Sequence, residues 1–600
     1  MITSTNLLIE IGDDLTHGCL SFELSQNIHG HHSFRAQFSG ESLESNTMGL
    51  GDDSLKHIGQ VFKMELSNNA NESSNFKGII TSVRAMGSNQ SGQGQIIIFE
   101  GYSPTILLES GPTSHAYTGM SLSDIINKAC QGPESNLLKL SVKPQNNSKL
   151  PYIVQYNETA FEFVNRMARR FGEWLYYDGS EMVVGDKEVS QINLTYGSDL
   201  QSFDYVMQSA SVLRQYTSHT YKVNQTQEIN TKSVNPGING TGKQVYDASS
   251  KTWQAPQYPI LFHFDEDDSV KKHLDDVAKI TVEAAAANCI IFNGSSMNPS
   301  LFPGANIKIT GVDKHDYGEY IVIAVNHHYS IGGNYQNSFS AIPSDVKASP
   351  YTNPGLMPRC EPQTGIIDDN NDPDNLGRVK VKLYWQRDTV TPWIRIAMPY
   401  TGSDKGMYFV PEKGEEVMVG YEGGNAEMPF VMGAMYHGNM NPGGFSNDKN
   451  DIKAIKTRSG HTIRFNDADE GTSISIEDPA GNSILFDTKG KNITISAPET
   501  MTINAKNLKI NVDEKMTTSV GTDMITTVKA NHKLNITEKF EITAADAQEK
   551  IDGDKKVTVK GDLKMESDTA DIIAKHGDLL LKSGGVATMQ GKQDAKVNKG

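Results

Sequence analysis

The sequence predicts a mainly β protein whose C-terminal quarter forms a repetitive β-helix or β-prism intertwined between three chains. Short runs of alternating apolar and polar residues, separated by Gly, Pro and Asn, are typical of strands and turns. Residues 493–589 also repeat every eight residues, which is typical of an elongated structure rather than a compact domain. The apolar positions predicted to form the core of this trimeric shaft are Leu508, Val512, Met516, Val520, Met524, Val528, Ile536, Phe540, Val557, Met565, Ile573, Leu581 and Met589.

An eight-residue unit has room for one short strand and a bend. A strand of about five residues spans only ~17–20 Å, which is one side of a narrow prism. Three copies of the chain, each supplying one side of every layer, would close the layers and leave few open strand edges. A helix is the alternative, but steps of four drift off a face that repeats about every 3.6 residues, and Thr517-Thr518 and Val557-Thr558-Val559 favour strand.

Composition limits the class of function. The 600 residues carry a formal net charge of −17 and a mean hydropathy of −0.45. This acidity argues against a nucleic-acid partner, because nucleic acids are bound by basic surfaces. Four widely spaced cysteines are expected to be free thiols of a protein folded in the cytoplasm. No signal peptide follows Met1 and no apolar run could span a bilayer, so we expect assembly in the cytoplasm and export by a route other than general secretion.

Residues 1–343 are predicted to form two β-barrel domains with a few helices. Helices are expected over Ser121–Ala129, which begins with a capping pair, and over Thr159–Phe171. An acidic cluster at Asp265–Asp268 leads into a third, Ala-rich helix and complements its dipole. Residues 344–362 are rich in Pro, Asn and Ser, which indicates a linker between domains.

Residues 363–445 are predicted to form a small closed barrel of the oligonucleotide/oligosaccharide-binding (OB) type, followed by the shaft over 446–590 and a tail over 591–600. The five short strands that indicate this barrel are Arg378–Tyr384, Trp393–Ile396, Met407–Val410, Glu416–Tyr421 and Phe430–Gly433. An OB surface that binds nucleic acid should be basic. Acidic residues crowd this barrel instead, namely Glu412, Glu415, Glu416, Glu422 and Glu427.

Several motifs, in order along the chain, resemble one family. They include Phe76–Ile80, Val154–Phe163, and the run Asp-Pro-Asp-Asn-Leu-Gly-Arg-Val-Lys-Val over Asp372–Val381. Together they resemble the VgrG (valine-glycine repeat protein G) family of type VI secretion spikes and the related hub and spike proteins of contractile phage baseplates. The collar positions that carry this motif are Pro373, Leu376, Gly377, Arg378, Val379, Trp393, Gly402, Pro411, Gly414, Glu416, Val417, Pro429 and Gly433.

The resemblance implies a homotrimeric puncturing spike with a phage-hub-like N-terminal region, an OB-fold collar and a β-helical shaft. The hub would dock on a hexameric, Hcp-like tube, and the C-terminal end would carry a PAAR-class tip protein. Baseplate proteins and effectors are the other implied partners, and ejection would carry the spike outside the cell or into target cells. Valine-glycine repeats are sparse here, and a phage tail or an extracellular injection particle stays open as the system it serves.

No catalytic residue and no cofactor are expected. The chain contains no HExxH, GxSxG or Walker motif. Neither residues 442–451 nor the residues after Met589 could hold a catalytic domain, which typically needs ~50 residues or more. The competing function is a β-helical enzyme or adhesin that acts on polysaccharide, which should have a longer coil period and a groove of aromatic and acidic residues.

One histidine is a candidate ligand. His532 interrupts the apolar track, and three copies on the axis of a trimer could hold a buried ion or a water cluster. The alternative is an imidazole that points outward. The other closely spaced histidines are expected to face solvent or to satisfy backbone groups rather than bind a metal, and these are His29, His31, His32, His327 and His328.

Overall fold

The computed structural model describes residues 5–12, 14–16, 18–39, 56–87, 95–132, 136–222, 224–254, 256–262 and 270–597. It divides into two compact units after Pro498. Strands make up most of the regular structure, so the prediction of a mainly β protein is confirmed. None of the helices in these ranges combines the length and apolar character needed to span a bilayer.

Seven N-terminal strands form one part of a thirteen-stranded sheet, in the order β3-β4-β7-β6-β5-β1-β2. They are β1 Thr5–Ile11, β2 Asp14–Thr16, β3 Cys19–Asn27, β4 Ser33–Ser39, β5 Val61–Asn68, β6 Ser73–Gly87 and β7 Gln95–Tyr102. Phe62, Met64 and Leu66 of β5 are buried, whereas Lys63 and Glu65 between them are exposed. This alternation makes one face of the sheet part of the core.

Two short helices pack beside the next strands. These elements are β8 Thr113–Ser121, α1 Leu122–Ala129, β9 Lys139–Lys143, β10 Lys149–Glu158, α2 Ala160–Phe171, β11 Leu175–Tyr177 and β12 Glu181–Gly185. The Asp124 N–H donates to Ser121 Oγ at the start of α1, and Thr159 and Glu162 form a reciprocal capping box at the start of α2. Gly172 ends α2 with a φ of 76°. Both helices therefore lie where the sequence predicts them.

Six later strands close into a barrel. The elements of this region are β13 Ile192–Tyr196, β14 Leu200–Met207, β15 Gln215–Thr220, β16 Gln225–Asn230, α3 Gly240–Thr252, β17 Ile260–Phe262, α4 Val270–Ala287, β18 Ile290–Ser296, β19 Asn306–Gly311, β20 Asp316–Ser330 and β21 Asn334–Pro343. The barrel order is β19-β13-β14-β18-β21-β20, and β20 pairs again with β19. Strand β20 also pairs with β3, which joins the barrel to the N-terminal strands. The α4 helix begins as predicted, but the acidic cluster at 265–268 lies outside the described residues.

Residues 344–362, predicted as a linker, are packed rather than free. The Trp174 Nε1–H donates to the Lys347 carbonyl over 2.8 Å, and Ser349 is fully buried. This segment leads into the collar, whose strands are β22 Gln363–Asp369, β23 Lys380–Leu383, β24 Thr401–Gly402, β25 Lys405–Gly406, β26 Glu416–Tyr421 and β27 Pro429–Ala434.

The collar sheet has the order β23-β22-β26-β27. Ile394 forms an isolated bridge with Val379, beside β23, and Ile396 forms one with Val431 of β27. This segment therefore connects the two edges of the sheet, as in an OB-like barrel. Two of the five predicted strands are wrong in detail. Trp393–Ile396 contributes only these bridges. Met407–Val410 belongs to no strand, because its backbone pairing ends at Met407, whose N–H donates to the Tyr400 carbonyl.

Five short strands follow the collar as an antiparallel meander. They are β28 Ile452–Lys456, β29 Thr462–Asn466, β30 Ser473–Glu477, β31 Ser483–Asp487 and β32 Asn492–Ser496, and they pair in chain order. Their apolar residues alternate, which places large side chains on one face of the sheet.

The second unit has no paired strand within the described residues 499–597. Its backbone bends at a regular spacing, and every one of these residues is exposed in the single chain. The predicted C-terminal β-helix is therefore not confirmed. An intertwined β-helix takes its pairing partners from other copies, and one chain alone cannot satisfy its backbone groups.

Candidate assembly interfaces

The meander formed by β28–β32 has an apolar face, defined by two rows of cross-strand neighbours. Register pairs Ile463 with Ile476, and Phe465 with Ile474, and the same pairing continues through the sheet. The rows are Ile455, Ile463, Ile476, Ile484 and Ile495, and beside them Phe465, Ile474, Phe486 and Ile493. We call these nine residues the apolar sheet face.

The apolar sheet face is open in the single chain. Eight of its nine side chains have exposed fractions between 37% and 65%. Arg464, Ser475 and Thr494 alternate onto the opposite face of the same sheet. Contiguous apolar patches of this kind mark surfaces that another protein covers. The sheet is therefore a candidate interface.

The predicted shaft core forms a second open apolar surface. Its thirteen residues are all exposed, from 45% for Ile536 to 82% for Met565. The backbone bends at 513–514, 521–522, 529–530 and 537–538, and again at 552–553, 560–561, 568, 575–577, 584–585 and 592–593. Val512, Val520, Val528 and Ile536 each come directly before one of these bends. The eight-residue period of the sequence is thus also a period of the backbone, while burial of these residues in a trimer stays a prediction.

His532 is exposed in the single chain. In the described residues, no group of three or more His, Cys, Asp or Glu side chains is placed to hold a metal ion. A site built from three copies of His532 would not be visible in one chain, so the axial ion or water cluster stays a prediction.

The collar motif is organised around Arg378, which is 3% exposed. Its Nε and Nη2 atoms donate to both carboxylate oxygens of Asp372 over 3.0 and 2.7 Å, and Nη2 also donates to Asp374 over 2.6 Å. This bidentate contact with Arg378 holds the pKa of Asp372 well below its usual range. Tyr221, from the hub, lies within 3.3 Å of Arg378 Nη1, and its ring stacks under Arg395. The motif therefore fixes a turn of the collar against the hub.

The other motif residues have separate structural roles. Val379 and Val417 are fully buried in the collar core. Gly377 and Gly414 have φ values of 71° and 91°, which a residue with a Cβ rarely adopts. The remaining positions lie in turns or strand ends or on the surface, and these are Pro373, Leu376, Trp393, Gly402, Pro411, Glu416, Pro429 and Gly433.

The hub and collar share a buried ion cluster. Glu427 of the collar is 5% exposed, and its carboxylate accepts a hydrogen bond from Arg170 of α2 over 2.5 Å. The Val154 N–H donates to the same carboxylate, and Arg166 lies 3.9 Å away while it pairs with Glu158. The prediction that placed Glu427 on the acidic collar surface is wrong. The sequence carries no local signal for this contact, because Arg170 and Glu427 lie 257 residues apart.

Of the histidines expected to face solvent or to satisfy backbone groups, His32 and His327 are buried in the hub. His32 Nε2 lies 3.1 Å from the Asn27 carbonyl oxygen, so this ring satisfies a backbone group. His327 Nδ1 lies 2.6 Å from Tyr335 Oη, His327 Nε2 lies 3.1 Å from Gln26 Oε1, and Gln26 Nε2 lies 3.1 Å from His32 Nδ1. The Asn337 amide donates to Tyr335, so Tyr335 donates to His327, His327 donates to Gln26, and Gln26 donates to His32. Each imidazole therefore accepts at one nitrogen and donates at the other, which makes both rings neutral. Burial lowers the pKa of His32 to about 3 and that of His327 to about 4.

Comparison with known proteins identifies two domains. A family model described as the phage tail baseplate hub (GPD) matches residues 50–333. A second, described as the type VI secretion system/phage-baseplate injector OB domain, matches residues 363–436. The second match covers the collar barrel and its motif.

Curated relatives and solved structures agree with these domains. The chain is 21% identical over 376 residues to the type VI secretion system spike protein VgrG1b of Pseudomonas aeruginosa, and 23% identical over 377 residues to the spike protein VgrG3 of Vibrio cholerae. These matches cover 57% and 56% of this chain but only 49% and 34% of those proteins. A chain of the Francisella PdpA–VgrG complex has a similar fold, with a TM-score of 0.51 at 9% identity over 82% of this chain and 80% of that one.

The two matched regions are domains of baseplate proteins found in type VI secretion systems and phage tails, the hub and the injector OB domain. The chain is also related to the VgrG spike proteins. The resemblance found in the sequence is therefore confirmed.

Proposed function

We propose that this protein is the homotrimeric puncturing spike of a contractile injection apparatus of the type VI secretion kind. The observation that carries the proposal is the pair of open apolar surfaces, the apolar sheet face and the predicted shaft core. Burying a large apolar side chain stabilises an assembly by about 1.5–3 kcal/mol. Burial of the thirteen apolar residues of the repeat and the nine of the meander would therefore strongly favour association of the chains.

Three copies fit the repeat better than two. Each eight-residue unit supplies one short side of a layer, and three sides close a prism without an open edge. Every strand would then be paired between chains, so the chains must separate together for the shaft to unfold. This coupling makes the shaft stiff and kinetically stable, as a part that crosses a membrane under force has to be.

The partners follow from this role. The hub, over residues 1–343, docks on a hexameric, Hcp-like tube and on baseplate proteins. The collar, over 363–445, joins the hub to the shaft over 446–590, and the end of the shaft carries a PAAR-class tip protein together with effectors. The spike assembles in the cytoplasm and is ejected to the outside or into a target cell. A phage tail or an extracellular particle is the alternative setting for the same spike.

The role is mechanical rather than catalytic. The relatives are named as spike proteins, although one, from Vibrio cholerae, is named as an actin cross-linking toxin and is 24% identical over 246 residues. The residues singled out in this chain act as core, turn and ion-pair residues, with neither a catalytic group nor a bound cofactor in the proposed role.

The mass of the purified protein in solution tests the proposal. Light scattering coupled to size exclusion should give three times the chain mass of 65.8 kDa at micromolar concentration. A mass of one chain would contradict the proposal, because the two apolar surfaces would then stay open to water. Co-purification of the trimer with an Hcp-like tube protein tests the docking step separately.

A further inference from the structure

A groove lies where the collar meets the hub. It encloses about 550 Å³. Strand β23 and residues 387–393 of the collar form most of its wall, and Thr118, Tyr221 and Lys222 of the hub complete it. We call this cavity the collar groove.

The collar groove is basic, and much of its positive charge is not neutralised. Lys222, Lys380, Lys382 and Arg387 line it. Within the part of the chain that the structure describes, no carboxylate forms an ion pair with any of these four side chains. Such a concentration of cations is unusual in a chain with a net charge of −17.

The acidic residues of the collar groove are mostly engaged elsewhere. Asp374 pairs with Arg378, which also lines the groove but is held by Asp372. Asp388 lies 4.0 Å from His115 and 3.9 Å from Lys128. Asp368 is the remaining acidic wall residue. Within the described residues, four cations therefore face the groove, and Asp368 is the one wall carboxylate that forms no ion pair.

The spacing of the cations suits an extended chain better than a single small anion. Lys380 and Lys382 alternate on β23, so they project from one face about 6.6 Å apart. Side chains at alternate positions of an extended peptide have the same spacing. The Trp393 ring, with Lys380 Nζ 5.0 Å from its centroid, adds an apolar wall. Thr389 lines the same groove with a buried hydroxyl that has no hydrogen-bond partner in the described structure.

We propose that the collar groove binds an extended acidic segment of a partner protein. Carboxylates at alternate positions of that segment pair with Lys380 and Lys382, and Arg387 and Lys222 extend the contact at either side. The Trp393 ring packs on the aliphatic part of the segment, and the Thr389 hydroxyl donates to a backbone carbonyl. All residues of this site belong to one chain, so its formation does not depend on the proposed trimeric spike.

Binding of synthetic peptides to the full-length protein tests the site. A short fluorescent peptide with Glu at alternate positions is titrated and followed by anisotropy, beside the same peptide with Gln in place of Glu. Each exposed ion pair contributes modestly, so removing two of them with Lys380→Ala and Lys382→Ala should weaken binding of the Glu peptide by about tenfold. The control is Lys139→Ala with Lys143→Ala, which removes the same charge from exposed residues of β9. Inorganic phosphate and tripolyphosphate are added as competitors.

The proposal is supported if the Glu peptide binds, the Gln peptide does not, and only the Lys380/Lys382 variant loses affinity. Equal loss in both double variants would mean attraction to overall charge and would overturn it. Displacement of the peptide by phosphate at similar concentration, or binding of phosphate without the peptide, would show a small-anion site instead. Absence of peptide binding to a trimer of correct mass would show that the groove is closed in the assembly, which also overturns the proposal while leaving the spike intact.

Discussion

Arg170 and Glu427 lie 257 residues apart in the chain, yet their side chains meet at 2.5 Å in a buried contact between helix α2 and the collar. Arg166 and the Val154 N–H complete the surroundings of that carboxylate. Tyr152 and Val154 of the hub also share a hydrophobic cluster with Val417 and Val419 of the collar. The hub and collar are therefore held by charge and by apolar packing at one junction.

Replacing Glu427 with Gln should weaken this junction. Two arginines would lose a buried partner, and breaking a buried ion pair from one side typically costs about 3–5 kcal/mol. We expect a lower thermal midpoint and faster cleavage by protease between hub and collar. Glu361→Gln, at an exposed position, is the control and should leave both unchanged. Equal stability of the two variants would mean that apolar packing alone holds the junction.

A charge on the apolar sheet face should prevent association. Ile495→Asp places a carboxylate among apolar side chains that the trimer is proposed to bury, and burying an unpaired charge is strongly unfavourable. The neighbouring Thr494→Asp places the same charge on the opposite face of the same strand. Light scattering should give the mass of one chain for Ile495→Asp and of three chains for Thr494→Asp. If both variants form trimers, this face is not part of the interface.

The shaft core is tested by a pair of substitutions one repeat apart. Val520→Asp with Val528→Asp would bring like charges together along the axis of the trimer, so assembly should fail. The control variant, Ser519→Asp with Thr527→Asp, adds the same two charges at the adjacent residues. Sizing and heat-resistant migration on a gel distinguish the outcomes. A normal trimer from the Val520/Val528 variant would refute the assigned register.

Acidification should destabilise the hub through His32 and His327. Their folded-state pKa values, about 3 and about 4, lie below the ordinary value of 6.5, so the unfolded chain binds more protons between these limits. Their contribution is present above pH 6.5 and is lost as the pH falls toward 3. The effect of each histidine is on the order of a few kcal/mol.

Thermal midpoints measured across this pH range check the effect. His327→Gln removes one of the titrating groups and should flatten the dependence between pH 6.5 and 4. His328→Gln, at the exposed neighbouring position, should leave it as in the parent protein. Identical slopes for the two variants would assign the acid sensitivity to other groups.

Local pattern was enough to predict the mainly β character of the hub, both capped helices and the eight-residue period of the repeat. These features depend on residues a few positions apart, such as Ser121 with Asp124 or Val520 with Val528. Capping, alternation and bends are all satisfied within one short stretch of chain, so their signals lie next to one another.

The sequence by itself therefore determined the mainly β class, the family resemblance and the repeat. Only the tertiary structure decided which polar residues are buried. Glu427 is predicted as one of several surface acids until Arg170 is placed beside it. His327 is predicted to face solvent or to satisfy a backbone group until Gln26 and Tyr335 are placed around it. Met407–Val410 is apolar and aromatic like a strand, but its backbone pairs only at Met407, with Tyr400. In each case the deciding contact joins distant segments, and the free energy of burying a charge or pairing a strand depends on what the fold brings there.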